Sequence, residues 1–262
     1  MCGRFVSATP PDQLAAYFGV DALTERVVDA APEPNFNVAP TTGVYTVTER
    51  DDERILDTYR WGLVPFWAKD PSVGSRMINA RAETVATKNA FRKLIVSKRC
   101  IIPADGFYEW RVLAPESELG EAERKAEGTK RRGTKAPKQP VFIHRVDGEP
   151  LAFAGLWDRW VDAEGHELRS CTIITTAANP VIEPIHDRMP VVLPPDSWST
   201  WLDPDVRDLD VVTGLLVAAP EELLVWHPVS TEVNSVRNKG PQLIEAVAGA
   251  AGGSGDANGR SA

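Results

Sequence analysis

What constrains this chain most is a succession of short strand-like runs, each ended by turn-forming residues before a long helix could grow. Val44, Thr46 and Thr48 alternate with Tyr45 and Val47, and residues 55–61 form a second run beyond Asp51-Asp52. Alternation of this kind marks a half-buried strand, and paired aspartates suit a tight turn between two of them. Cys100-Ile101-Ile102-Pro103 and Gly106-Phe107-Tyr108-Glu109-Trp110 read as strand, turn, strand. Residues 141–145, 151–157, 170–176 and 222–229 continue in the alternating or buried runs typical of antiparallel sheets. Asp162-Ala163-Glu164-Gly165 supplies a turn between two of these runs.

Helical signals are short. Thr9-Pro10-Pro11-Asp12 starts a helix with a capping hydroxyl and a first-turn proline, Leu14, Tyr17 and Phe18 give it an apolar stripe, and Gly19 ends it. Residues 196–202 and 206–218 also read as helical, and two short helices are expected within 81–98 around Phe91, Leu94 and Ile95. The charged, aromatic-free stretch 115–137 interrupts the pattern and reads as a solvated insertion; whether its basic half touches nucleic acid stays open. The main unit is expected over residues 1–247, with 248–262 a disordered Gly/Ala/Ser tail.

The three cysteines, Cys2, Cys100 and Cys171, form no CxxC pair, which suits free thiols in a reducing compartment. With no apolar leader and no run of about 18 apolar residues, the chain is expected to be cytoplasmic and outside the membrane. A net charge of −8 weighs against nonspecific coating of nucleic acid, which Lys and Arg drive. It leaves room for a small basic cleft on an acidic body.

The most reactive feature is the opening Met1-Cys2-Gly3-Arg4-Phe5. Removal of Met1 would give Cys2 a free α-amine beside its thiol. These groups titrate near about 8 and about 8.5, so both nucleophiles are present at neutral pH. Such a pair captures an aldehyde as a Schiff base and closes a thiazolidine ring; alternatively the thiol attacks an acyl carbon with the amine as base. Other chemistries lack their motifs. Cys and His show no paired zinc spacing, so no metal is expected; no Gly-rich phosphate loop and no G-x-S-x-G elbow occur.

Candidate helpers lie elsewhere. In Trp61-Gly62-Leu63-Val64-Pro65-Phe66-Trp67-Ala68, each Trp is either core or a stacking surface, and Trp67, beside Lys69, is the better candidate for exposure. Asn79 stands in Asn79-Ala80-Arg81-Ala82-Glu83-Thr84, where ordinary helix capping is the simpler role. Glu109 lies between two aromatics: facing a pocket, it would be desolvated toward acid/base duty; facing water, it would be an ordinary surface acid. His186 has Asp187 beside it and Arg188 two residues on, within a loop framed by Pro184 and Pro190.

In order along the chain, Met1-Cys2-Gly3-Arg4-Phe5, Trp61-Gly62-Leu63-Val64-Pro65, Asn79-Ala80-Arg81-Ala82-Glu83-Thr84, Gly106-Phe107-Tyr108-Glu109-Trp110, Phe153-Ala154-Gly155-Leu156-Trp157 and His186-Asp187-Arg188-Met189-Pro190 closely resemble the SOS-response-associated peptidase (SRAP) family. The resemblance runs from Met1 to about Val236. It implies a single α+β domain with a mainly antiparallel, barrel-like sheet core and peripheral helices. It also implies a protein that binds abasic sites in single-stranded DNA and crosslinks to them through Cys2, with peptidase activity limited to its own N-terminus. In that resemblance the Cys2 amine attacks sugar C1′ and its thiol closes the thiazolidine. Glu109 acts in proton transfer and self-processing, His186 in sugar ring opening, and Asn79 in orientation. Arg4, Arg81 and Arg188 hold phosphates, and Trp67 stacks on unpaired bases. No cofactor is implied, the expected form is a monomer, and the protein would be nucleoid-associated when bound to damaged DNA.

Two rivals stand beside this reading. N-terminal-nucleophile glutamine amidotransferases also open on Met-Cys-Gly, but they call for an internal Asn-Gly oxyanion element, and the only Asn-Gly here is Asn258-Gly259 in the tail. A noncatalytic single-strand DNA-binding module would make Cys2 incidental and its DNA contacts fully salt-reversible.

Overall fold

The structure is a computed structural model that describes residues 2–113, 137–247 and 253–254. Strand β1 (Phe5–Ser7) leads into helix α1 (Pro11–Phe18), then β2 (Ala22–Leu23) and the single-turn α2 (Glu25–Val28). Pro11 starts α1 and Gly19, at φ 62°, closes it in the left-handed region, donating its N–H to Ala15 O. Thr9 does not cap this helix: Pro10 holds the capping position, and the Thr9 hydroxyl donates to the Asp105 carboxylate.

Next come β3 (Asn35–Val38), β4 (Gly43–Arg50) and β5 (Glu53–Trp61). Asp51 and Asp52 sit at φ 52° and 62°, the two left-handed positions of a tight hairpin, and Arg50 faces Glu53 across it. Then follow β6 (Asn79–Arg81), α3 (Leu94–Ser97), β7 (Arg99–Ala104), β8 (Gly106–Val112), β9 (Lys138–Arg145), β10 (Leu151–Val161), β11 (Glu167–Ala177) and β12 (Arg188–Pro190). Helices α4 (Trp198–Leu202) and α5 (Leu209–Gly214) precede β13 (Leu224–Pro228) and β14 (Gly253–Ser254).

Strands β4, β5, β11, β10 and β7 close into a five-stranded barrel. The pairs are antiparallel except β5 with β11, a short parallel seam matching Ser170 to Arg60 and Cys171 to Trp61. A second, antiparallel sheet has the order β14-β13-β9-β8-β1-β3. Strands β7 and β8 are thus not a hairpin: the chain passes from barrel to second sheet at Asp105. The expected α+β single domain with a barrel-like core and peripheral helices is what the chain forms.

Between the layers, Cys2, Phe5, Trp61, Cys100, Phe107 and Phe153 belong to one buried cluster. Phe5 meets the Trp61 ring edge-on at 5.0 Å and the Phe153 ring at 6.1 Å. Burial of one such ring stabilises by about 1.5–3 kcal/mol, so Phe5 anchors the N-terminal strand. A second cluster, including Leu14, Phe18, Leu56, Ile95 and Trp201, seats the helices on the barrel's outside.

Two helix expectations shrink. Residues 206–218 yield only α5, because Asp208 caps at that point, its carboxylate accepting from the N–H groups of Asp210 and Val211, and Gly214 ends the helix. Within 81–98 only α3 is helical, preceded by a 3₁₀ turn at Ala82–Thr84. The upstream residues are drawn into the barrel sheet instead, with Ile173 matching Asn79 and Thr175 matching Arg81 in parallel.

The expected insertion at 115–137 lies outside the described residues apart from Pro137. Its two ends meet where Leu113 N–H donates to Pro137 O at 3.0 Å, at the open end of the β8–β9 hairpin. Gly253 and Ser254 of the tail pair with β13; the rest of the expected disordered tail lies outside the described residues. No helix among the described residues is long and apolar enough to cross a membrane.

Candidate active site

The N-terminal strand carries Cys2 into the interior. Phe5 pairs with Phe107 and Val38, and Tyr108 N–H donates to Arg4 O at 3.0 Å, so β1 is zipped between β8 and β3. Cys2 is fully buried, its Sγ 3.9 Å from Arg4 O, and its own carbonyl accepts a 2.8 Å hydrogen bond from Asn79 Nδ2. Asn79 is therefore not a helix cap. Its parallel pairing with β11 aims the side chain at the terminal residue.

Glu109 lies on β8, opposite Val141 of β9, and is only 4% exposed. Of the two orientations open in the sequence, the inward one holds. Burial raises its carboxyl above the ordinary range, opposed by the positive chain terminus and His186. Burial also lifts the Cys2 thiol far above its usual range, and the nearby Glu109 charge lifts it further. The thiol is thus protonated at neutral pH and needs a base before it can attack.

His186 is half-buried in the loop before β12. The backbone N–H of Arg188 donates to Nδ1 at 3.0 Å, which leaves the proton of the neutral ring on Nε2. Asp187 Oδ1 stands 2.9 Å from the same nitrogen and accepts from it once the ring is protonated. Asp187 and His186 both act electrostatically on Glu109, as Glu109 acts on Cys2. Cys2, Asn79, Glu109 and His186, far apart in sequence, are therefore one neighbourhood.

The expected phosphate-binding arginines divide into two kinds. Arg4 is half-buried, donates to Asn37 Oδ1 and Val233 O at 2.8 Å each, and lies over the Trp110 ring. Arg188 forks onto Glu83, with nitrogen–oxygen distances of 2.5 and 3.0 Å, and also donates to Thr175 O. Arg81 is exposed on β6, and its guanidinium makes no hydrogen bond or ion pair with any described residue. Trp67 is 56% exposed while Trp61 is buried, its Nε1 donating to Ile78 O. Trp67 is thus the surface ring of the pair.

Sequence reasoning missed Asn37. Besides holding Arg4, its Nδ2 donates to the carbonyls of Val233, Ser235 and Asn238 at 3.0–3.1 Å, which ties the C-terminal segment to β3. Its place between Phe36 and Val38 in a proline-rich connection was the only signal available. Glu83, quoted within its motif but given no role, proves to be the partner of Arg188. Among the described residues, one His/carboxylate cluster has metal-like spacing, the half-buried Asp162 with the exposed Glu164 and His166 of the β10–β11 turn. Asp162 already accepts from the His166 ring and from two backbone N–H groups there, so turn geometry accounts for the cluster.

The pattern of the family described as SOS response associated peptidase (SRAP) matches residues 1–236. This chain belongs to the SRAP family. It is 40% identical over 245 residues to the abasic site processing protein YoqW of Bacillus subtilis, covering 94% of this chain and 99% of that one. To YedK of Escherichia coli, also an abasic site processing protein, it is 35% identical over 248 residues, covering 94% and 100%. HMCES of Xenopus tropicalis, another such protein, matches at 32% identity over 83% of this chain and 65% of its own. Among solved structures, a protein of Bacteroides thetaiotaomicron superposes with a TM-score of 0.77 at 24% identity, over 94% of this chain and all of that one; it shows the fold.

Proposed function

We propose that this SRAP protein captures abasic sites in single-stranded DNA covalently, through the aminothiol that Cys2 presents once Met1 is removed. The observation that carries the reading is the buried Cys2, its carbonyl fixed by Asn79 and its thiol beside Glu109, a carboxyl that burial raises above its ordinary range. The names of its relatives support the same lesion as target.

The chemistry balances on these residues. The terminal amine adds to the C1′ aldehyde of the ring-opened sugar, giving a carbinolamine. Glu109, as the carboxylic acid, passes its proton to the hydroxyl, which leaves as water, and an iminium forms. The Cys2 thiol then adds to the iminium carbon while its proton returns to the Glu109 carboxylate. One carbon–nitrogen and one carbon–sulfur bond form, one water leaves, and Glu109 ends as it began. No oxidant or reductant is consumed. His186, with its Nε2 proton set by Arg188 N–H, opens the sugar ring by passing that proton to the ring oxygen as the C1′–O4′ bond breaks, and regains a proton from the C1′ hydroxyl as the aldehyde forms. Arg81 takes a neighbouring phosphate and Trp67 an unpaired base, with Arg4 and Arg188 joining as their present partners are exchanged for phosphate. The same Glu109 would assist release of Met1, which confines peptidase activity to the protein's own terminus. The working form is a monomer acting in the cytoplasm, on the nucleoid when DNA is damaged.

Cys2→Ser, which keeps an amine but loses the thiol, tests the ring closure. Wild-type protein should give a crosslink to an abasic oligonucleotide that survives heating in detergent with no reductant. The variant should need borohydride to trap its Schiff base. Equal heat-stable crosslinking by both would contradict thiazolidine formation.

A further inference from the structure

We infer a binding site for a small oxyanion of the phosphate class at the mouth of the barrel opposite Cys2, formed by Arg50, Arg169 and the hydroxyl of Tyr59. It is independent of DNA capture. Strand β11 runs from Arg169 at this mouth to Thr175, whose carbonyl accepts from Arg188 beside the Cys2 neighbourhood. That stretch spans about 20 Å at about 3.3 Å per residue. Trp61, Cys100 and Cys171, all fully buried, fill the barrel between the two ends.

The alternation of β4 brings Arg50 inward. Val44 shares the buried cluster of Tyr59 and Trp61, whereas Tyr45 and Val47 belong to the cluster on the barrel's outside. Thr46, Thr48 and Arg50 therefore follow Val44 on the inner face. Asp51, Asp52 and Glu53 come next and are exposed, yet none forms an ion pair with Arg50. Its guanidinium instead donates to the Tyr59 hydroxyl at 2.8 Å and lies over the Trp157 ring at 5.1 Å. Arg169 lies over the Tyr59 ring at 6.0 Å, so the two guanidiniums flank one phenol. Arg50 and Trp157 are partly exposed and the Arg169 side chain is 22% exposed, which leaves the mouth open to solvent.

Donors outnumber acceptors at this mouth. Buried Asp57 already accepts from Arg26, Thr24, Thr58 N–H and Arg169. Glu167 divides its two oxygens between Arg159 and Arg169, and Asp158 holds Lys98. Arg50 has no carboxylate among the described residues, and its buried Nε has no hydrogen-bond partner among them. The same holds for Oγ1 of Thr48, 1% exposed and the next inward residue below Arg50. The Tyr59 oxygen accepts from Arg50, while its own hydrogen has no acceptor among the described residues. Burial lifts the phenol above its ordinary pKa, so that hydrogen stays in place. Unmet buried donors are costly, and a tetrahedral oxyanion offers several acceptor oxygens with the charge that guanidinium forks match. A cation would meet two guanidiniums of its own sign, and an apolar group would leave the donors unmet.

The test uses the full chain and inorganic phosphate, exchanged for chloride at constant ionic strength and about pH 7.5. Titration calorimetry gives the affinity, and the melting temperature should rise with phosphate as for a ligand that binds only the folded state. Tyr59→Phe keeps the ring and removes only the hydroxyl, so it should weaken phosphate binding about tenfold. Arg50→Gln removes the charge and should weaken it by more than tenfold. Phosphate has a second place to settle, the arginines near Cys2, so Arg81→Ala/Arg188→Ala is the control and should bind phosphate at the barrel mouth as wild type does. Wild-type protein whose melting temperature ignores phosphate would overturn the site. So would wild-type affinity in both Arg50→Gln and Tyr59→Phe, or a phosphate effect that disappears in Arg81→Ala/Arg188→Ala. None of these results bears on crosslinking through Cys2.

Discussion

The side-chain amide of Asn79 holds the carbonyl of Cys2 at 2.8 Å, a bond between the barrel's appended strand β6 and the first described residue of the chain. It fixes the peptide plane on which the reactive amine and thiol are mounted. Asn79→Ala removes one hydrogen bond of about 1 kcal/mol, so crosslinking to an abasic oligonucleotide should slow about five- to tenfold. Noncovalent affinity for intact single-stranded DNA should stay as it was. Single-turnover kinetics under saturating DNA measure the difference, and an unchanged rate would remove Asn79 from the orienting role.

Glu109 allows a prediction with a sign. As the acid for water loss it must be protonated, so raising pH through its elevated folded pKa should slow capture. Glu109→Gln should lower the rate about a hundredfold and abolish that fall. Stability should move the other way. A carboxyl whose pKa is raised on folding binds protons more tightly in the native state, so stability falls as pH rises from the ordinary Glu value through the raised one. Glu109→Gln should therefore melt higher than wild type at pH 7.5, with the gap closing below about pH 4. Calorimetry at the two pH values checks it.

Asn37 is buried and serves Arg4 together with three carbonyls of the 233–238 segment. Asn37→Ala strands those groups at an expected loss of about 2–4 kcal/mol, at about 1 kcal/mol for each bond. The urea midpoint should fall with no change in the slope of the unfolding free energy. Because Arg4 loses its support, crosslinking should weaken as well.

Gly62 opens the loop that carries Phe66 and Trp67. It sits at φ 122°, and a Cβ there would lie 2.6 Å from Gly74 O, a backbone atom that cannot swing away. Gly62→Ala should destabilise the protein by at least about 2 kcal/mol and shift the aromatic platform. Tighter or unchanged single-strand binding in this variant would show that the loop's aim does not matter.

Much of the fold was legible because its strands are short and alternate. The Asp51-Asp52 hairpin follows from local chemistry alone, since two left-handed positions select such residues. The parallel closure of β5 on β11 was not legible: it is a pairing of segments 110 residues apart, set by barrel geometry and not by any local pattern. The same limit explains Asn79. Its neighbourhood reads as a helix start, and only the long-range pairing with Ile173 turns it toward Cys2. The direction of Glu109 depended on a sheet partner, Val141, beyond the insertion. The Glu83 clamp on Arg188 joins residues that the motifs name but cannot orient.

The most direct test of the account is intact mass after mixing the protein with an abasic single-stranded oligonucleotide, beside Cys2→Ala. Protein alone should show a chain without Met1. Wild-type mixtures should show a heat- and salt-stable species at the mass of protein plus oligonucleotide minus one water, absent from the variant. An exposed Cys2 with no such species, or the same species in Cys2→Ala, would contradict aldehyde capture by the N-terminal aminothiol.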